Sequence, residues 1–323
     1  MNRLFPVILS AGVLLSSATA VLAAEAEETA ARSGVIRQRI SATSYSVELP
    51  VVVRVQGTAF FRTLVGFTNN TNKNGVTASY QFSYSCVSST CSPANGFYRT
   101  TVQVITLPAL GSFTQDDFVD YLNSQGLLQP GANQGTIGTL LVTFNNLPST
   151  VGWEANVIGR TYNRIVESDA SQGTVGFAYN ASLFFDSAHV TLVGFARDTK
   201  SAPTTAGKLR TNVGIRNTDI CTTAQNMTVV VTFYDTATGQ KVGNTITFAD
   251  LRPGELRQIS DVWTSAGIAS TVNSIIVFAD APNGSLSTPT MEGFVNIVEG
   301  FNTQDAAFFT MLCGDTGTCA ACP

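Results

Sequence analysis

Phe60-Phe61-Arg62-Thr63-Leu64-Val65-Gly66-Phe67-Thr68-Asn69-Asn70 alternates apolar and polar residues and ends in a polar turn. Leu209-Arg210-Thr211-Asn212-Val213-Gly214-Ile215-Arg216-Asn217-Thr218 repeats that pattern 148 residues later. As a strand, the first stretch puts Phe61, Thr63, Val65 and Phe67 on one face, opposite Arg62 and Leu64. The second puts Leu209, Thr211, Val213 and Ile215 opposite Arg210 and Asn212. The threonine points coreward in both copies and the arginine away. A repeat that keeps its faces as well as its letters indicates an internal duplication.

The flanking segments keep the same order. Residues 78–84 and 228–234 read as strands; one enters a loop with Cys86 and Cys91, the other the hairpin signal Asp235-Thr236-Ala237-Thr238-Gly239. Residues 102–107 and 242–248 follow, each before a bend marked by Pro and Gly. One short helix is expected in each copy. Thr114-Gln115-Asp116-Asp117 precedes Phe118, Val119 and Leu122 with Gly126 beyond, and Ser260-Asp261 precedes Val262-Trp263 with Gly267 beyond. A hydroxyl cap, early carboxylates and a closing glycine make this signal. Residues 139–144 and 154–163 close the first copy, and 274–278 and 293–298 the second. The predicted fold is all-β: two tandem Ig-like antiparallel β-sandwich domains from an internal duplication, each with one short helix.

The ends of the chain read differently. Asn2 and Arg3, the apolar stretch 4–15, and Val21-Leu22-Ala23-Ala24 before Glu25 form a secretory signal over residues 1–24, cut after Ala23 or Ala24. Its apolar part falls short of the roughly 20 residues that span a bilayer, so no membrane insertion is expected after cleavage. Residues 25–45 form a flexible lead-in, 46–182 and 183–312 the two domains, and 313–323 a cysteine-rich tail. About 300 residues exceed what one core usually organises. The setting is secreted or cell-surface, with the periplasm included.

Six cysteines behind an export signal read as disulfides. Cys86 and Cys91 flank a Ser/Thr loop and pair locally; Cys221, Cys313, Cys319 and Cys322 allow three connectivities. Cys319-Ala320-Ala321-Cys322 also has the spacing of a redox or zinc pair, but no histidine lies nearby to complete a ligand set. Charged residues are only 12% of the chain, and loss of Arg3 with the leader takes the formal net charge from −4 to −5. Four lysines and no basic stripe exclude a nucleic-acid partner, which needs clustered cations.

Chemistry is sparse. His189 is the single histidine, set in a strand-like stretch, and no Gly-x-Ser-x-Gly elbow is present. Asp116, Asp117 and Asp120 cluster where a helix starts, which explains them by capping; calcium ligation and acid catalysis are the functional alternatives. Trp153 and Trp263 are the only tryptophans. No cofactor is implied. Arg62 and Arg210 carry two readings: outward forks that grip a carboxylate on a partner protein or acidic glycan, or bridges to acceptors within their own domain. Their recurrence favours the framework role, which Arg160 and Arg164 around Tyr162 share.

Val51-Val52-Val53-Arg54-Val55-Gln56-Gly57, Phe61-Arg62-Thr63, Gly159-Arg160-Thr161-Tyr162-Asn163-Arg164 and Leu209-Arg210-Thr211-Asn212-Val213-Gly214 resemble tandem β-sandwich modules of exported bacterial proteins. The resemblance covers most of residues 49–312, implies the fold and the export setting, and brings no catalytic residue. The expectation is a non-enzymatic structural or interaction protein that presents its modules to a protein or polysaccharide, with self-association through sheet edges. The alternative is a carbohydrate-binding or carbohydrate-active module that uses surface carboxylates, Asp117 or Glu154.

Overall fold

The computed structural model describes residues 38–41, 43–56, 59–91, 96–148, 154–181, 189–196, 209–217, 226–281, 291–299, 306–310 and 312–313. The leader, Trp153, the expected boundary near Ser182, Cys221, Cys319 and Cys322 lie outside them. Among the described residues the architecture is all-β, with three antiparallel sheets of ten, five and four strands and two short α-helices.

The ten-stranded sheet uses β1 (Gln38–Ser41), β2 (Ser44–Gln56), β3 (Phe60–Asn69), β4 (Val76–Cys86), β5 (Phe97–Arg99), β6 (Gln103–Leu107), β7 (Ser112–Gln115), β8 (Gly135–Asn145), β9 (Ala155–Val166) and β10 (Asp169–Asn180). It has two wings. One runs β1-β2-β8-β4 with β5 and β6 along the far side of β4; the other runs β7-β3-β9-β10. Among the described residues their strand pairing is the hairpin Arg54↔Arg62, Val55↔Phe61 and Gln56↔Phe60. Both wings fill one core: Leu49, Phe82 and Leu140 from the first, Val65, Phe67 and Val157 from the second. Period-two alternation puts these residues on inward faces.

The other sheets use β11 (His189–Ala196), β12 (Leu209–Asn217), β13 (Met227–Asp235), β14 (Ile246–Leu251), β15 (Leu256–Ile259), β16 (Ser274–Asp280), β17 (Met291–Glu299), β18 (Ala306–Thr310) and β19 (Leu312–Cys313). Their orders are β14-β13-β16-β11-β19 and β15-β12-β17-β18. Position for position they follow β6-β4-β8-β2-β1 and β7-β3-β9-β10 in the first strand set. The outermost seat differs in origin: the N-terminal β1 flanks β2, whereas the C-terminal β19 flanks β11. A second core gathers Val213, Ile215, Val231, Phe233, Val277 and Trp263.

Helix α1 (Phe118–Ser124) and helix α2 (Val262–Ala266) bury the same spacing of residues: Phe118, Val119, Leu122 and Val262, Trp263, Ala266. The hydroxyl cap expected for α1 is corrected. Thr114 belongs to β7, and Asp117 caps the helix by accepting from the Asp120 N–H at 3.2 Å. α2 starts at Asp261 without a side-chain cap to the backbone; the Asp261 carboxylate accepts from the Thr264 hydroxyl instead. Gly126 and Gly267 end the helices at φ 68° and 62°, where a side chain would be strained.

Several boundaries moved. Strand β1 lies within the expected lead-in, and β2 begins at Ser44. Residues 242–245 are not strand; β14 starts at Ile246, because the chain first closes the Asp235–Gly239 hairpin, where Lys241 bridges to Tyr234 and the Val242 N–H donates to the Phe233 carbonyl. β10 and β18 add a further strand to each set. Cys86 and Cys91 form the local disulfide. No helix among the described residues is long and apolar enough to cross a membrane.

Candidate functional site

The arginine-threonine signature splits as its alternation requires. Thr63 is fully buried, where its Oγ1 accepts from the Val53 N–H at 2.9 Å and lies 3.0 Å from Thr161 Oγ1. Thr161 in turn bonds the Tyr179 hydroxyl at 2.8 Å, and that hydroxyl donates to the Val51 carbonyl. A polar chain thus crosses the core with its groups satisfied. Thr211 is buried at the matching position.

Arg62, on the opposite face, is only 5% exposed. The β2–β3 hairpin sets it across from Arg54, and the Phe60 ring lies against both guanidinium groups, 4.7 and 4.9 Å from its centroid. The Asp117 carboxylate accepts from Arg54 Nε at 2.9 Å and stands 3.9 Å from Arg62 Nε. Arg54 also reaches Asp120 at 3.5 Å, and Arg62 donates to Glu167. Tyr162, opposite Arg62 in the β3–β9 register, donates to Asp116 Oδ2 at 2.8 Å, and Arg160 lies 5.2 Å over its ring. Planar cations on ring faces and forked carboxylate contacts stabilise such a cluster jointly.

Burial raises the Asp117 carboxyl above its ordinary value of 3.8, against the opposing pull of Arg54. Burial and the Asp116 carboxylate raise the Tyr162 phenol well above 10, so it acts as a neutral donor. A carboxyl with a raised pKa is one ingredient of acid catalysis, but Asp117 is already the helix cap and the acceptor for Arg54. Glu154, the alternative carboxylate, is remote from it. Asp117 sits at the Tyr162 end of β9 and Glu154 just before the start, roughly 25 Å along the strand. A glycosidase pair needs its carboxyl groups within about 10 Å.

Of the other sequence candidates, Arg210 pairs with Val298 in β12–β17, His189 with Asp280, and Cys313 with Val190. Their side chains, with Cys221, Cys319 and Cys322, lie outside the described residues. Among the described residues no three His, Cys, Asp or Glu side chains gather as a metal-holding group.

Three features escaped the sequence reading. The first is a brace at the end of each signature strand. Asn69 Nδ2 donates to the Pro108 carbonyl at 2.8 Å, and Asn217 Nδ2 to the Leu251 carbonyl at 3.0 Å. Each asparagine N–H also donates across the bend, Asn69 to the Gly111 carbonyl and Asn217 to that of Glu255. Both asparagines stood in the repeated stretches, where their recurrence was the available signal.

The second feature joins the strand sets. Arg216 of β12 meets Glu48 of β2 and stands 3.9 Å from Glu292 of β17, with all three side chains almost fully buried. Burial draws the Arg216 guanidinium's pKa downward, and Glu292 opposes that shift. Leu256 and Phe294 of the second set sit within the first set's core cluster, and Arg99 donates to the Pro253 carbonyl.

The third is a difference between equivalent faces. Gly66 pairs with Ile158 and Gly214 with Phe294, on the outward faces of β3–β9 and β12–β17. A Cβ on Gly214 would fall 2.1 Å from the Phe294 ring, so only glycine admits it. Phe294 is 2% exposed whereas Ile158 is 39% exposed. The β12–β17 face is covered; the matching face, which carries the Arg62 cluster, is open beside Ile158.

No family model matches the sequence, and no curated protein matches it. Among solved structures, similarity is found to a backbone protein of the group B streptococcus pilus 2b, at 13% identity and TM-score 0.19, over 88% of this chain and 91% of that one. The Pleurotus ostreatus lectin in its apo form matches at 12% identity and TM-score 0.15, over 85% and 86%. The same lectin in complex with GalNAc matches at 11% identity and TM-score 0.12. Likenesses this weak carry no argument about function.

Proposed function

We propose that the protein is an exported, non-enzymatic structural or interaction protein built from two duplicated β-sandwich modules, β1–β10 and β11–β19. The observation that carries this reading is the paired brace: Asn69 and Asn217 hold equivalent bends by equivalent bonds within strands of equivalent order. What recurs is framework. The most distinctive polar cluster, around Arg62 and Asp117, spends its groups on one another, which fits a scaffold that presents faces and edges to a protein or polysaccharide.

The test combines two measurements on material from the producing cell. Mass spectrometry of the native chain is expected to find a mature N-terminus after Ala23 or Ala24, outside the cytoplasm. A panel of polysaccharides is expected to show no turnover. Hydrolysis that disappears in Asp117→Asn would replace this reading with the carbohydrate-active one, and an intact leader on cytoplasmic protein would remove the export claim.

A further inference from the structure

We infer, resting on the interaction-scaffold reading proposed above, that two copies of the chain pair edge to edge through β6. The pair is antiparallel about a two-fold axis and continues the ten-stranded sheet from one molecule into the next. β6 pairs with β4 on one side, from Val76↔Leu107 to Tyr80↔Gln103 without a register shift, and no strand among the described residues pairs with its other side. The chain reaches β6 from β5 along the same side of β4. There the Thr100 N–H donates to the Phe82 carbonyl at 2.9 Å, and the Phe82 N–H donates to the Thr100 hydroxyl at 3.0 Å. A strand so placed presents a row of amide and carbonyl groups to water.

The side chains along that row are not those of a protected edge. Residues 100–115 contain no Asp, Glu, Lys or Arg. The three most exposed large apolar side chains among the described residues all stand on this run: Leu110 at 70%, Val104 at 61% and Val102 at 59%. Thr101 and Thr106 beside them are exposed too. Ile105 and Leu107 turn the other way, against the core. Residues 102–107 thus form an uncharged, proline-free stretch rich in β-branched side chains, the composition that edge strands ordinarily avoid.

The equivalent edge of the second strand set is guarded. β14 holds the seat of β6, beside β13, and aligning Leu251↔Met227 with Leu107↔Val76 puts Thr247 where Val104 stands. Asp250 is an extra residue there, at φ 52°, and the ladder shifts register beside it, between Met227 and Val229. The Arg257 guanidinium donates to the Ala249 and Asp250 carbonyls. A bulge, a carboxylate and a cation that occupies carbonyls each blunt an edge. Among the described residues β6 has none of the three.

Charge selects a second copy as the occupant. The chain carries a formal net charge of −4, so copies repel at long range, and the neutral run lets them meet without like charges facing one another. The strand also complements itself. Antiparallel pairing centred on Val104 sets Val104 against Val104 of the second copy, Val102 against its Thr106 and Gln103 against its Ile105. β-branched side chains then meet on the exposed face, where such cross-strand pairs are favourable. A contact that uses one patch twice closes at a dimer. The strand is short, so the dimer is reversible and follows concentration.

Sedimentation equilibrium of the full mature chain over a wide concentration range tests this. The mass is expected to rise from the monomer and level off at twice its value. Val104→Lys and Val104→Glu are each expected to stay monomeric where wild type is dimeric. Their equal mixture is expected to restore the dimer, because opposite charges then face each other at its centre. Thr247→Lys, on the guarded edge, is expected to leave the dimer as it is. Circular dichroism and thermal melting check that each variant has folded. Wild type that stays monomeric, even if it takes up an unrelated extended peptide at this edge, would overturn the inference. So would a mass that climbs past the dimer, a Val104→Lys variant that still dimerises, or a mixture that stays monomeric. A monomeric exported protein without polysaccharide turnover would leave the functional reading standing and remove only the dimer.

Discussion

The outward faces of β3–β9 and β12–β17 share one pairing register and have opposite chemistry. The open face spreads charge: Arg54 and Arg62 are distributed among Asp117, Asp120 and Glu167, with the last two carboxylates more than half exposed. The closed face concentrates it, with one guanidinium between two carboxylates and almost no solvent. Water screens errors of balance on the first face and cannot do so on the second. A strand framework therefore leaves its outward residues free to follow whatever covers them, while the inward threonine and the terminal asparagine stay put.

The largest effect should come from the closed face. Arg216→Met would take the guanidinium away from the buried Glu48 and Glu292 carboxylates, at a cost of about 3–5 kcal/mol in chemical denaturation. Adding Glu48→Gln should recover part of that loss, because one buried charge is removed with its partner. Thr68→Ala, at the matching place on the open face, should cost less than about 1 kcal/mol. Equal losses at the two positions would erase the contrast.

A smaller, symmetrical effect tests the shared framework. Asn69→Ala and Asn217→Ala each leave a bend carbonyl without its side-chain donor, and each should cost about 1–3 kcal/mol. A large loss at one and none at the other would show that the braces are not equivalent.

Acid titration separates the faces in another way. The raised Asp117 pKa means the native state holds this proton more tightly than the unfolded chain does. Its contribution to stability is therefore greatest at low pH. It declines as pH rises from the unfolded value of 3.8 through the higher folded value, and is constant above. The difference between wild type and Asp117→Asn should slope in that window and nowhere else; a slope of the opposite sign would mean the arginines outweigh burial. Smallest of all, Ile158→Arg should change stability by no more than about 0.5 kcal/mol, since its side chain already meets water.

Much of the framework was legible in the chain. Alternation around Thr63 and Thr211 identified the inward faces, and Phe118, Val119 and Leu122 before Gly126, with Val262-Trp263 before Gly267, located both helices. β10 was not legible, because Asp169–Asn180 opens on Asp-Ala-Ser-Gln-Gly and gains its strand from pairing with β9 across a short turn. Nor was the Glu48–Arg216–Glu292 group: its members are 168 and 76 residues apart, and nothing local marks a charge that will be buried. For Arg62 the sequence offered an outward fork or an internal bridge, and its side chain lies among Asp117, Glu167, Phe60 and Tyr162 of its own strand set.

One seat in each strand set is filled from a different place in the strand order, β1 before β2 in the first set and β19 after β18 beside β11 in the second. Clipping the chain after Met311 would empty the second seat and bare the backbone groups of β11 that pair with Leu312 and Cys313. Loss of β19 would thus turn a paired stretch of β11 into an open, adhesive edge.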